Sequence, residues 1–134
     1  VLDKYPQKVK LVFKNYPLTS IHPFAYRAAI AALAADAQGK FWQFHEKLFV
    51  NQRSLNDAQI EGIAHELKLD MERFNNAMKD PAIQKLITRD MEEGREAGVG
   101  GIPAVFVNGR FPKEGSLQGI EALIQAELKK EKKK

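Results

Sequence analysis

The sequence predicts a mixed domain of helices and strands, α/β or α+β, in which helices far outnumber strands. Three observations carry that prediction: a β-branched and aromatic run at residues 9–14, strand-free helical periodicity from 22 to 97, and a glycine-rich passage at 98–103 that opens a second apolar run. Together they give about five consecutive helices flanked by three strands, which make a sparse sheet.

Taken in order, residues 1–5 have a short apolar register that stops at Pro6, as the last turn of a helix does. Val9-Lys10-Leu11-Val12-Phe13-Lys14 follows, bounded by Asn15-Tyr16-Pro17, and reads as a strand. It is too apolar for an exposed strand, so a buried sheet position with helices on both sides is expected. His22-Pro23 starts the first full helix, with proline at the first helical position where its missing N–H costs nothing. Alanines from 25 to 37 propagate that helix and permit close packing, and Gly39 is the candidate left-handed cap. Phe41, Phe44, Leu48 and Phe49 recur at helical spacing, giving a second helix with a heavily aromatic face.

Asn56 with Gln59 three residues on resembles a capping box for a helix carrying Ile60, Ile63, Ala64 and Leu67. Asp70 caps a short helix through Met71, Phe74 and Met78. Asp80-Pro81 starts a longer one with Ile83, Leu86, Ile87 and Met91 inside and Arg89, Glu92, Glu93 and Glu96 outside, ending at Gly98. The next strand is Ala104-Val105-Phe106-Val107, after which Asn108-Gly109 is the preferred pair for a two-residue hairpin turn returning through Arg110-Phe111. Ser116 caps the final helix, whose apolar face is Leu117, Ile120, Leu123, Ile124 and Leu128.

The 134 residues fit one ordinary domain, and 44% apolar against 28% charged residues excludes wholesale disorder. No cysteine is present, which removes disulfides, thiolate metal sites and a cysteine nucleophile from these residues. The net charge of +4 resides in the last six residues, five lysines and one glutamate, so the body is neutral. With no aromatic residues among those lysines there is no stacking platform for a single strand, and no nucleic-acid partner is expected. No 18-residue apolar run exists and the first ten residues carry four charges, so neither a membrane span nor a signal peptide is expected within the chain.

Among candidate site residues, His45-Glu46 and His65-Glu66 lack the second histidine that a zinc HExxH site needs, and no calcium loop occurs. No metal and no cofactor are expected. His22 stands at a strand-to-helix junction, where side chains approach the functional edge of a sheet, although on the residues alone a simple capping role is favoured. The glycines at 98, 100 and 101 follow a helix and precede a strand, the reverse of a phosphate loop, and no nucleophile elbow occurs. Pro103 cannot donate to a ladder, so it implies an open backbone edge or bend. The glycines before it allow a cis Ile102–Pro103 bond, but the residues alone favour an ordinary trans proline opening an edge strand, since only about one X–Pro bond in twenty is cis in folded proteins.

Four motifs in order, Lys10-Leu11-Val12-Phe13-Lys14-Asn15-Tyr16-Pro17-Leu18, His22-Pro23-Phe24-Ala25, Gly39-Lys40-Phe41-Trp42-Gln43-Phe44-His45-Glu46-Lys47-Leu48-Phe49, and Gly98-Val99-Gly100-Gly101-Ile102-Pro103-Ala104-Val105-Phe106-Val107-Asn108-Gly109, resemble the DsbA-like branch of the thioredoxin superfamily over nearly the whole chain. The resemblance implies an α/β thioredoxin-like fold interrupted by an inserted all-helical domain. On that reading residues 1–17 and 98–134 are the thioredoxin-like part and 18–97 the insertion. It further implies a cis-proline at Pro103, and a substrate-binding edge at Gly101, Ile102 and Pro103 that pairs with an extended segment of a protein thiol or disulfide substrate, with His22 nearby.

The departure from that family is the absent Cys-X-X-Cys. In the family a strand and the Cys-X-X-Cys helix precede the strand matching 9–14, so the chain is expected to start inside that helix and to hold an incomplete sheet, without its first strand. Thiol–disulfide exchange needs a thiolate, so the expected activity of these residues is none, while the parent is expected to form or isomerise disulfides in periplasmic or other extracytoplasmic proteins. Three outcomes for the gap in the sheet stay open: the remaining strands pair directly, a second copy of the chain covers them as a homodimer, or the chain is unstable. The alternative function is a naturally cysteine-free peptide-binding module of the same fold. A glutathione-transferase-like arrangement is disfavoured, because there the helices follow the proline strand rather than precede it.

Overall fold

A computed structural model describes residues 2–17, 23–113 and 115–132. The chain divides into two compact units, a helical one spanning Lys14–Ala97 and a second comprising Val1–Phe13 and Gly98–Lys134. The helical unit contains α1 (Ala25–Asp36), α2 (Phe41–Val50), α3 (Asp57–Glu66), α4 (Met71–Met78) and α5 (Pro81–Glu96), and α6 (Leu117–Lys132) belongs to the second unit.

Within the helical unit α1 is the central rod, packed against α2, α3, α4 and α5. Its composition explains that position. Ala31, Ala34 and Ala35 are sealed from solvent, and their short side chains let neighbouring helix axes approach closely. The remaining volume is filled by Phe44, Phe74, Ile63 and Ile87, with the Phe44 and Phe74 rings stacked 5.8 Å apart. Gln38 joins the end of α1 to the start of α4: its Nε2 donates to the Asp70 carbonyl at 3.1 Å and its Oε1 accepts from the Asp70 N–H at 2.8 Å.

Helix starts follow the expected caps. Asn56 accepts from Gln59 N–H at 2.8 Å, Asp70 from Arg73 N–H at 3.1 Å, Asp80 from Ala82 N–H at 2.9 Å, and Ser116 from Gly119 N–H at 3.1 Å. Gly39 and Gly98 take the positive φ values, 73° and 82°, that the chain uses to leave α1 and α5. The first helix differs from expectation: α1 begins at Ala25, with Phe24 at its N-cap and no side-chain cap, so Pro23 lies in the preceding turn.

In the second unit two turns at the beginning of the chain are fastened to α6, with Lys4 Nζ 3.1 Å from Glu121 Oε1 and Gln125 Nε2 donating to the Tyr5 hydroxyl at 3.4 Å. Asn108 and Gly109 form a two-residue turn with φ of 49° and 78°, closed by reciprocal Val107 and Arg110 backbone bonds of 2.9 and 3.0 Å. Both φ values are positive, the requirement that selects Asn-Gly there. Phe106 and Phe111 meet across this turn at 4.0 Å.

The expected sheet requires correction. Among the described residues no strand forms a ladder, and the Val107–Arg110 bridge is the sole β pairing. Residues 9–14 carry no strand, and Leu11, Val12 and Phe13 are exposed rather than buried. Residues 104–107 do not pair with them, so direct re-pairing, one of the three outcomes above, is not formed. The reason is physical: a helix closes its hydrogen bonds internally, whereas a strand acquires both its ladder and its burial only from a neighbour.

Candidate functional site

The candidate edge lies where α5 ends and the chain turns through Gly98 towards Pro103. The Ile102–Pro103 peptide bond is cis, and Gly101, Ile102 and Pro103 are all exposed. Ile102 retains 50% of its surface. A Cβ added at Gly100 or Gly101 would meet nothing within 4 Å, so these glycines do not serve internal packing. They leave clear space alongside the main chain, into which another backbone can come. His22 lies outside the described residues.

At the hairpin turn that follows in sequence, Glu127 of α6 takes three side chains: Arg110 Nη1 at 2.9 Å, Asn108 Nδ2 at 3.4 Å and Lys130 Nζ at 3.4 Å. The Arg110 hydrogen bond, reinforced by Asn108, holds its carboxyl below the usual carboxylate range. This cluster pins the hairpin turn to α6 in the same unit, which gives residues 104–111 a fixed base despite their missing ladder.

The other histidines are distributed as structural side chains. His45 lies on α2 among aromatic rings, stacked on Phe41 at 5.6 Å and edge-on to Phe49 at 4.8 Å, and burial lowers its pKa while Glu46 opposes the shift. His65 is exposed, 3.8 Å from Glu61. Among the described residues no three His, Cys, Asp or Glu side chains converge on a point that could hold a metal ion. A shallow groove of about 360 Å³ in the helical unit, lined by Tyr26, Lys85 and Arg89 among others, includes none of the candidate residues. No helix among the described residues is long and apolar enough to cross a membrane.

Asp90 escaped the sequence reading. It lies on α5 one turn beyond Ile87, on the inward stripe that Ile83 and Ile87 mark, and it is buried. A carboxylate at the i+7 position of an apolar stripe was the available signal, because a charge is placed there only when a specific partner meets it.

The description "DSBA-like thioredoxin domain" matches residues 3–125. The chain belongs to that family. The cysteine-free composition stands within it as a property of these residues. Similar proteins include one named Na(+)/H(+) antiporter NhaA 1 from Salinispora arenicola, 38% identical over 118 residues, which cover 88% of this chain and 18% of that protein. Na(+)/H(+) antiporter NhaA 3 from Salinispora tropica matches with the same identity and coverage, and Na(+)/H(+) antiporter NhaA from Herminiimonas arsenicoxydans is 37% identical over 89 residues, 66% of this chain and 14% of that protein. The chain thus spans less than a fifth of the length of these curated relatives. No solved structure matches it.

Proposed function

We propose that the chain is the peptide-docking portion of a DsbA-like thiol–disulfide oxidoreductase acting on extracytoplasmic proteins, with Gly101, Ile102 and Pro103 as the edge on which an extended substrate segment lies. One observation carries this reading: the main chain at 100–102 has open space beside it, with no side chain at two of three positions and an exposed apolar one at the third. An added strand needs that room to come within hydrogen-bonding distance, and its alternate side chains then find Ile102. Exchange itself proceeds by thiolate attack on a disulfide sulfur, and no residue here forms a thiolate. The purified chain is therefore expected to leave insulin reduction at background. Turnover above background would overturn that statement.

The docking edge is tested by Gly101→Val. Because Gly101 is exposed, has room for a Cβ and lies outside the helical unit, the variant should unfold at the parent's denaturant midpoint. Its side chain occupies the lane of an incoming backbone, so binding of a labelled extended apolar peptide, read by fluorescence polarisation, should weaken about tenfold or more. Undiminished binding removes the edge from this region.

A second reading is favoured by the coverage of the relatives. Proteins named Na(+)/H(+) antiporters hold the matching segment in 18% of their length, so a domain of this kind occurs within much longer chains that bear a transporter's name. On this reading the domain is a cysteine-free peptide-binding module carried by such a protein. The sequence immediately before residue 1 discriminates: a Cys-X-X-Cys there supports the oxidoreductase, and its absence supports the module.

A further inference from the structure

We propose that the helical unit is a self-closing module, its first residues, Lys14 and Asn15, clasped on its last helix α5 by Glu93 and Asp90, so that it keeps its structure independently of the remainder of the chain. The argument starts from Asp90, whose side chain is only 5% exposed. Its Oδ2 accepts two bonds from one residue, Asn15 N–H at 3.0 Å and Asn15 Nδ2 at 3.2 Å, across 75 positions of sequence. A buried carboxylate with hydrogen-bond donors from both the main chain and the side chain of one residue is a specific fastening, since removing either partner strands a polar group away from water.

Glu93, one turn further along α5, completes the closure. Its Oε2 lies 3.3 Å from Lys14 Nζ, which also reaches to 3.8 Å from Asp90 Oδ1, while its main-chain carbonyl accepts from Ala97 N–H at 2.9 Å. Lys14 and Ala97 are the first and last residues of the unit. The Ala97 bond is the ordinary i to i−4 bond that ends α5, so the fastening is the one at Lys14 and Asn15, which ties the place where the chain comes into the unit to the last two turns of the helix by which it leaves. The exposed Lys14 pair adds little alone. The buried Asn15–Asp90 bonds supply the fastening, and closing a loop of this length removes chain entropy from any partly opened state.

The consequence is a unit held, among the described residues, by an alanine-lined core, caps on α3, α4 and α5, and a tied neck. It should open as one cooperative piece and later than residues 98–113, which have one β bridge and the exposed Asn108 and Arg110 bonds to Glu127 in place of a buried core.

Native-state hydrogen exchange on the 134-residue chain, read by mass spectrometry, tests this. Amides of α1, α3 and α5 should exchange about tenfold or more slowly than those of 104–111, and rising denaturant should release the latter first. Asp90→Asn keeps the volume and one acceptor but not the charge, and should speed exchange in α5 by about threefold or more while leaving α6 unchanged; Asp90→Ala should speed it about tenfold or more. Should Asp90→Ala fail to fold, Asn15→Ala, which removes only the side-chain donor, takes its place with the about threefold expectation. Simultaneous release of both units in the parent chain, or α5 exchange within about twofold of the parent in the Asp90 variants, overturns the proposal.

Discussion

The two units of this chain solve the same problem with unequal success. In the helical unit α1 is buried almost all round and Phe44, Phe74, Ile63 and Ile87 have no access to solvent. In the other unit Ile124 is the sole apolar residue buried among those described, while Leu11, Val12, Ile102, Val105, Phe111 and Leu117 remain exposed. Both units hold enough apolar residues to make a core. What separates them is the source of hydrogen bonds: five helices satisfy their own backbones and need only each other's side chains, whereas residues 9–14 and 104–107 are strand-forming sequence whose burial requires a ladder.

The largest test of this contrast is deletion of a core ring. Phe44→Ala or Phe74→Ala should cost about 3–5 kcal/mol by denaturant unfolding, while Val105→Ala and Leu11→Ala should fall within about 0.5 kcal/mol. Equal costs in the two sets would mean that the second unit is packed in solution by something further. A second copy is the simplest candidate, and sedimentation velocity across a range of concentrations measures it directly: a dimer that Leu11→Asp dissociates would identify the covering partner, and a compact, cooperatively unfolding monomer would eliminate it.

Smaller effects sharpen the comparison at single residues. Asp70→Ala removes the α4 cap and should cost about 1 kcal/mol in the helical unit. Gly109→Ala places a side chain at a φ of 78° and should cost about 1 kcal/mol, read as faster amide exchange at 107–111 rather than as a shift of the main unfolding transition. The smallest effect is the pH dependence carried by His45. Burial lowers its folded-state pKa below the ordinary 6.5, so below that value the unfolded chain takes up the proton more readily and stability falls. The decline stops once the folded state is protonated as well. Melting temperature should therefore drop as the pH falls through the ordinary histidine value of 6.5, and His45→Gln should remove part of that drop.

Local signals proved the most legible. Asn56, Asp70, Asp80 and Ser116 cap helices where they stand because an N-cap is an interaction over two or three residues, and Asn108-Gly109 makes its turn because the required φ values are a property of those two residues. The end of α5 and the exposed approach to Pro103 were likewise written in Gly98 and the glycines after it. Two features were not legible for the opposite reason. The absence of a ladder at 9–14 depends on a neighbour no local window contains, and the Asn15–Asp90 fastening joins residues 75 positions apart.

The sequence by itself determined the order of the helices and the capped starts of α3 to α6, the turn at Asn108-Gly109, the family, and the lack of any thiol able to attack a disulfide. Those follow from short-range chemistry and from composition, which folding does not alter. Only the tertiary structure decided which apolar segments are buried, that Asp90 is an inward-facing anchor rather than one more charge on α5, and that the space beside Gly100 and Gly101 is open. Each is a relation between surfaces distant in the chain, and burial, unlike a cap or a turn, is conferred by whatever packs on the other side.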